Sequence, residues 1–153
     1  MFPHNIKDLN AKLRTGSARH DYGLQLAEMT NWNGECAYCT RDLISTYESW
    51  LHLQVDHVIP RYLAKHNYKS VKKWIESIPN CVICCAACNA FLNKFEVDAD
   101  PPKTADDFFS IRNQIFTKKK NQATERHKKE CEMYKEKWAL GRKGYHGGKP
   151  PLC

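Results

Sequence analysis

The sequence of 153 residues predicts a small α+β fold in which two short strands and a helix form the core. Apolar and polar residues alternate over 50–59, a periodicity that is typical of a half-buried strand ended by Pro60. A short apolar run at 80–85 fits a second strand. Apolar residues then recur every four positions over 86–95, which indicates a helix with one buried stripe.

Helices are predicted on both sides of this core. Residues 17–30 predict a short helix with Ser17 as its N-cap. The segment 105–140 predicts one or two helices that begin after Thr104, with two aspartates in the first turn. Between the strands, the insertion 61–79 predicts a further helix around 70–77.

These patterns divide the chain into three predicted segments. Residues 1–34 are expected to be a helical N-terminal extension, and residues 35–97 the core. Residues 98–153 are expected to be a basic helical arm with a loose tail from about Gly141.

Composition restricts the class of protein. A hydrophobic fraction of 42% and a charged fraction of 27% are typical of a soluble globular chain. No apolar run approaches the roughly 20 residues that a membrane helix needs, and the N-terminus has no secretory signal pattern. We therefore expect a cytoplasmic protein with no membrane partner.

The net charge of +7 is unevenly distributed. Residues 118–153 hold 11 basic and 4 acidic residues and supply all of it. This asymmetry predicts a polyanion partner, most simply DNA, with RNA as an alternative. A solvated helix rich in lysine explains the charge equally well. The predicted contacts are Lys94, Lys118, Lys119, Lys120, Arg126, Lys128 and Lys129.

Six of the eight cysteines form three C-x-x-C units. Such spacing without a signal peptide favours metal over disulfides, and no βαβ pattern supports a thiol-redox role. Cys36, Cys39, Cys85 and Cys88 are predicted to hold a structural zinc ion in a closed site of four thiolates. Cys81 and Cys84 offer the same spacing, but they occupy positions in the strand that suit an apolar side chain.

An Asp-His step and two asparagines accompany these cysteines in a fixed order. Asp56 and His57 end the first predicted strand, Asn80 precedes the second, and Asn89 follows Cys88 directly. Over about residues 36–95 the chain resembles the HNH endonuclease family, in its His-Asn-Asn variant with zinc knuckles. That resemblance implies a ββα-metal core.

The resemblance also implies a role for each residue. His57 would be the general base that activates water for attack on phosphorus, since imidazole titrates near neutral pH. Asp56 and Asn89 would hold Mg²⁺ or Mn²⁺ through oxygen atoms, and Asn80 would orient His57 across the loop. Asn93, one helical turn after Asn89, is a candidate third ligand.

The sequence thus predicts a metal-dependent endonuclease that hydrolyses DNA phosphodiester bonds. The alternative is a zinc-stabilised nucleic-acid-binding module without catalysis, which would use the same cysteines and the basic arm but would need neither Asp56 nor His57.

Overall fold

The computed structural model describes residues 1–66, 68–92 and 95–141, with side chains as far as residue 137. It is a small α+β fold with one two-stranded antiparallel sheet. The helices and strands are α1 (Tyr22–Thr30), α2 (Tyr47–Leu51), β1 (Leu53–His57), α3 (Lys72–Ile75), β2 (Cys81–Cys85), α4 (Ala86–Leu92) and α5 (Ala105–Gly141). Single 3-10 turns occur at Arg61–Lys65, Lys69–Val71 and Ile78–Asn80.

The two predicted strands are present and pair with each other. Leu53 lies opposite Cys85 at one end of the sheet, and His57 lies opposite Cys81 at the other. The first strand is shorter than predicted because 47–51 form α2, which begins where the Thr46 hydroxyl accepts the amide of Ser49 at 3.0 Å.

Helix α4 follows β2 without a connecting loop. The amide of Ala86 donates to the carbonyl of His52 at 2.8 Å, so the ladder passes directly into the helix. The helix predicted over 86–95 extends to Leu92 within the described residues.

Helix α5 begins after Thr104, as the sequence predicts, and two reciprocal hydrogen bonds close its start. The Thr104 hydroxyl accepts the amide of Asp107 at 3.1 Å, and the Asp107 carboxylate accepts the amide of Thr104 at 3.0 Å. Its buried residues recur at helical spacing and face the core; they are Phe108, Phe109, Arg112, Ile115, Phe116, Lys119 and Ala123. The first half of α5 is therefore part of the core, whereas 124–137 are mostly exposed.

The N-terminal region is less helical than predicted. Helix α1 begins at Tyr22, and the Ser17 hydroxyl instead accepts the amide of His20 in a turn before it. The prediction of Ser17 as the helix N-cap is wrong because Asp21 captures the Ser17 amide at 2.7 Å and closes this turn separately.

Residues 1–14 run across the core. The His4 ring nitrogen Nε2 lies 2.9 Å from the carbonyl oxygen of Cys81, and the Ile78 amide donates to the carbonyl of Ala11 at 2.8 Å. This segment thereby covers the start of β2.

The insertion between the strands contains less helix than its sequence suggests. The predicted helix over 70–77 is a 3-10 turn followed by the four residues of α3. Among the described residues, no helix combines the length and the apolar character that crossing a membrane requires.

Candidate active site and candidate metal centre

Four cysteines converge at one end of the sheet. The sulfur atoms of Cys36, Cys39, Cys85 and Cys88 all lie within 4.8 Å of one another, and those of Cys39 and Cys85 are 3.8 Å apart. A tetrahedral zinc ion about 2.3 Å from each sulfur would separate the sulfurs by about 3.8 Å. This four-cysteine cluster is therefore compatible with a structural zinc ion.

Local backbone geometry positions these sulfurs. Thr40 adopts a left-handed conformation with φ of 58°, which turns the chain back so that the Cys36 amide donates to the Arg41 carbonyl at 2.8 Å. The amide of Cys85 points at the sulfur of Cys36 at 3.2 Å, and that of Cys88 at the sulfur of Cys85 at 3.4 Å. Amide donors favour the thiolate form that a metal ion requires.

The third C-x-x-C unit takes no part in the cluster. Cys81 and Cys84 are fully buried within β2, and the thiol of Cys81 donates to the carbonyl of Ser77 at 3.4 Å. Burial raises the pKa of both thiols, which therefore remain neutral. The choice of Cys85 and Cys88 over Cys81 and Cys84 is thus supported by geometry.

His127 also reaches this cluster. Its Nε2 atom lies 3.2 Å from the sulfur of Cys88, and its ring packs edge-on against Phe91. It belongs to the buried-stripe spacing of α5, one turn after Ala123, so helix periodicity was the available signal.

A cleft of about 810 Å³ opens beside Asp56 and His57 of β1. Asp56, His57 and Asn89, which are three of the four predicted catalytic residues, line it together. Helix α4 begins beside Leu53, at the end of the sheet far from His57, and packs against β1, so Asn89 lines the cleft from the helix.

The Asp56 carboxylate is held by two buried side chains. Its Oδ2 atom accepts the Tyr38 hydroxyl at 2.5 Å and the Lys119 ammonium at 2.7 Å. Lys119 also donates to the carbonyl of His57 at 3.2 Å. Burial is the main reason why the pKa of Tyr38 is raised, and it keeps this hydroxyl protonated as a donor.

Lys119 is therefore not the surface contact that the sequence predicted. Its side chain is 1% exposed and its ammonium neutralises Asp56. It lies on the buried stripe of α5, at the point where that helix crosses the end of β1, and this position commits it to the interior. A buried lysine requires such a partner because desolvating an unpaired ammonium is costly.

The environment of His57 changes its acidity. Burial, followed by the positive charge of Arg61, lowers the pKa of His57 to about 4, although Asp56 acts in the opposite direction. The imidazole is therefore neutral at pH 7, with a free lone pair, and is a weaker base than an unperturbed histidine.

Asn80 lies behind the cleft instead of lining it. Its side chain is fully buried, accepts the Ile59 amide at 2.9 Å, and donates to the carbonyls of Ile59 and Ile75 at 2.9 and 2.8 Å. These bonds fix the two residues that follow His57, an arrangement suited to the orienting role expected of it.

The donor set on the cleft suits a hard divalent cation in part. Both bonds to the Asp56 carboxylate fall on Oδ2, so among the described residues Oδ1 accepts no hydrogen bond. That oxygen and the Asn89 side-chain oxygen could bind Mg²⁺, which keeps several waters in its shell. The candidate ligand Asn93 and the candidate contact Lys94 lie outside the described residues.

The remaining predicted nucleic-acid contacts are on α5. Lys118, Lys120 and Lys129 are exposed, as are Arg126 and Lys128. Two of these cations pair on the same helix, Arg126 with Glu130 at 3.1 Å and Lys128 with Glu125 at 2.8 Å.

Sequence inspection missed the residues on the near wall of the cleft. Lys12, Arg14 and Tyr22 line it because residues 11–14 run beside α1. Their separation from Asp56 in sequence left no local signal. Comparisons with protein-family models, with curated proteins and with solved structures found no match to this chain.

Proposed function

We propose that this protein is a metal-dependent endonuclease of the HNH type that hydrolyses DNA phosphodiester bonds. The proposal rests on one observation above all. Asp56, His57 and Asn89, which the sequence motif groups, line a single cleft at the junction of β1 and α4. The proposal includes zinc in the four-cysteine cluster as a scaffold.

In the proposed reaction, neutral His57 accepts a proton from the water that attacks phosphorus. The approach of a phosphodiester anion would raise the pKa of His57 towards neutrality, because negative charge favours the imidazolium form. Lys119 and Tyr38 hold the Asp56 carboxylate in one orientation through Oδ2, which leaves Oδ1 available to a cation. Asn80 keeps the backbone after His57 in place.

Mg²⁺ or Mn²⁺ bound to Asp56 and Asn89 would supply charge stabilisation at the leaving 3′ oxygen. Lys119 already neutralises Asp56, so the charge available for the cation is small. We therefore expect weak divalent binding that bound substrate phosphate strengthens.

The test replaces His57 with alanine and measures plasmid nicking with Mg²⁺ or Mn²⁺. Loss of a general base should lower the rate by about 10²–10⁴-fold. His52→Ala is the matched control, since His52 is exposed and lies five residues upstream. Undiminished cleavage by the His57 variant would reject His57 as the base.

A second candidate function is a zinc-stabilised nucleic-acid-binding module without catalysis. The Lys119–Asp56 pair favours it, because the carboxylate is charge-compensated without any cation. This candidate predicts that the wild-type chain binds DNA but does not nick it with either cation.

A further inference from the structure

Three cations on the rim of the cleft have no acidic partner among the described residues. Lys12, Arg14 and Arg61 line the cleft and are exposed. None of them takes part in an ion pair within the part of the chain that the structure describes.

The two acidic groups that line the cleft are already compensated. Asp56 is bonded to Lys119 at 2.7 Å, and Glu76 lies 4.0 Å from Lys72. Four cations, Lys12, Arg14, Arg61 and Lys119, line the cleft with these two carboxylates, so the cleft keeps a net positive charge.

The near wall of the cleft, formed by residues 11–14, is held in place by hydrogen bonds to its backbone. The side chain of Gln25 on α1 accepts the amide of Arg14 at 2.7 Å and donates to the carbonyl of Lys12 at 3.1 Å. On its other side, Lys12 forms a bridge with Ser77. Leu13, between the two cations, packs against the core. In extended backbone, alternate residues share a face, so Lys12 and Arg14 project together away from that core.

Arg61 also lines the cleft. It follows Pro60 and begins the 3-10 turn after β1, four residues beyond His57. Its positive charge lowers the pKa of His57. The three cations thus line the same cleft as His57 and come from two segments that are distant in sequence.

We propose that Lys12, Arg14 and Arg61 form a phosphodiester-binding clamp, and that a DNA strand lies in the cleft instead of along the exposed face of α5. This inference rests on the proposed function. Unpaired lysine and arginine side chains held on an ordered backbone suit phosphate contacts, which position a strand without reading its sequence. On α5, by contrast, Arg126 and Lys128 are already paired with glutamates.

The test measures DNA affinity of the full chain against salt concentration, without added Mg²⁺ or Mn²⁺ and without a chelator, so that binding is separated from cleavage while the proposed zinc ion stays in place. The clamp variant carries Lys12→Gln, Arg14→Gln and Arg61→Gln. A matched α5 variant carries Lys118→Gln, Lys120→Gln and Lys129→Gln, and it removes the same charge from exposed positions. Each variant is first shown to melt like the wild-type chain.

Each lost phosphate contact should reduce the slope of log affinity against log salt by about 0.9 on duplex DNA. The clamp variant should therefore lose about 2.7 from the slope, and the α5 variant much less. The inference is overturned if the clamp variant keeps the wild-type slope, or if it loses no more than the α5 variant.

The two proposals fail in different ways. Nicking by the wild-type chain, together with an unchanged slope in the clamp variant, would refute the clamp and leave the nuclease intact. A reduced slope in the clamp variant, together with a wild-type chain that never nicks DNA, would support the clamp and refute the nuclease.

Discussion

The two ends of the β1–β2 sheet differ in how their side chains are assembled. At the Cys85 end, four sulfurs come from two short local turns, and nearby backbone amides support them. At the His57 end, each group depends on a distant segment, since Asp56 is held by Lys119, 63 residues away. Within each cysteine pair the spacing is local, although Cys39 and Cys85 are 46 residues apart, whereas the Asp56 contact with Lys119 has no local component.

Because the two ends are assembled differently, substitutions at each end should have different effects. A substitution in the four-cysteine cluster at the Cys85 end (the sulfur end) should unfold the protein, because a bound metal ion would contribute folding energy directly. A substitution at the His57 end, which lines the cleft (the cleft end), should lower the free energy of unfolding by less and should mainly lower the cleavage rate.

The largest expected effect is on the sulfur end. Cys85→Ser should release zinc and unfold the chain, since structural zinc contributes about 10–16 kcal/mol in small zinc domains. Zinc content and circular dichroism measure this. The control is Cys81→Ala, which should keep its zinc and lose about 1 kcal/mol through lost packing. A Cys81 variant without zinc would contradict the assignment of the cluster.

The next effect concerns the buried ion pair at the cleft end. Lys119→Met should lower the free energy of unfolding by up to about 3–5 kcal/mol, because it leaves the partly buried Asp56 carboxylate without its ammonium partner. Urea denaturation measures the loss. Lys120→Met, at the next and exposed position, should change stability by less than about 0.5 kcal/mol.

A double variant sharpens this result. Asp56→Asn combined with Lys119→Met should recover part of the loss, since no unpaired charge then remains. If the double variant is less stable than the two single effects combined, the ion pair is not the source of the destabilisation.

The sequence predicted the two ends of the sheet to different extents. Each strand, α4, the start of α5 and each of the two cysteine pairs depend on neighbours within a few residues, and spacing revealed them. Lys119 was predicted as a surface contact because its lysine neighbours suggested a charged face. Only the crossing of α5 over β1 makes it an interior residue.

The N-terminal region shows the same limit. Residues 1–14 carry little regular structure, yet they bond to Cys81 and line the cleft. Serine is a residue type that favours the N-cap position, but the Asp21 carboxylate accepts the Ser17 amide and closes a separate turn. Local propensity does not reveal such competition.

Asn80→Ala tests the orienting role at the cleft end. The change leaves the Ile59 amide and two carbonyls unsatisfied in the interior, and it should cost at least about 1–3 kcal/mol. Nicking should fall in the folded variant because the backbone after His57 loosens. A variant that loses stability but keeps full nicking would separate Asn80 from the chemistry.

The smallest effect is a pH dependence at the start of β2. Burial lowers the pKa of His4, so the unfolded chain binds the proton more tightly than the folded chain. Wild-type stability should therefore fall as pH drops below about 6.5, by at most about 1.4 kcal/mol per pH unit from this group. Urea denaturation at several pH values should show a weaker acid loss in His4→Gln than in wild type. Parallel curves would remove His4 as the cause.

The most direct test uses the point where the two ends are closest in sequence. Cys88 belongs to the sulfur cluster, and the next residue, Asn89, lines the cleft. Zinc content and Mg²⁺-dependent plasmid nicking should be measured on the same preparations of wild type and Asn89→Ala. We expect equal zinc in both and at least about a 10²-fold loss of nicking in the variant, a typical effect of losing a group that stabilises the transition state. Undiminished nicking by Asn89→Ala, or loss of its zinc, would contradict the assignment of separate functions to the two ends.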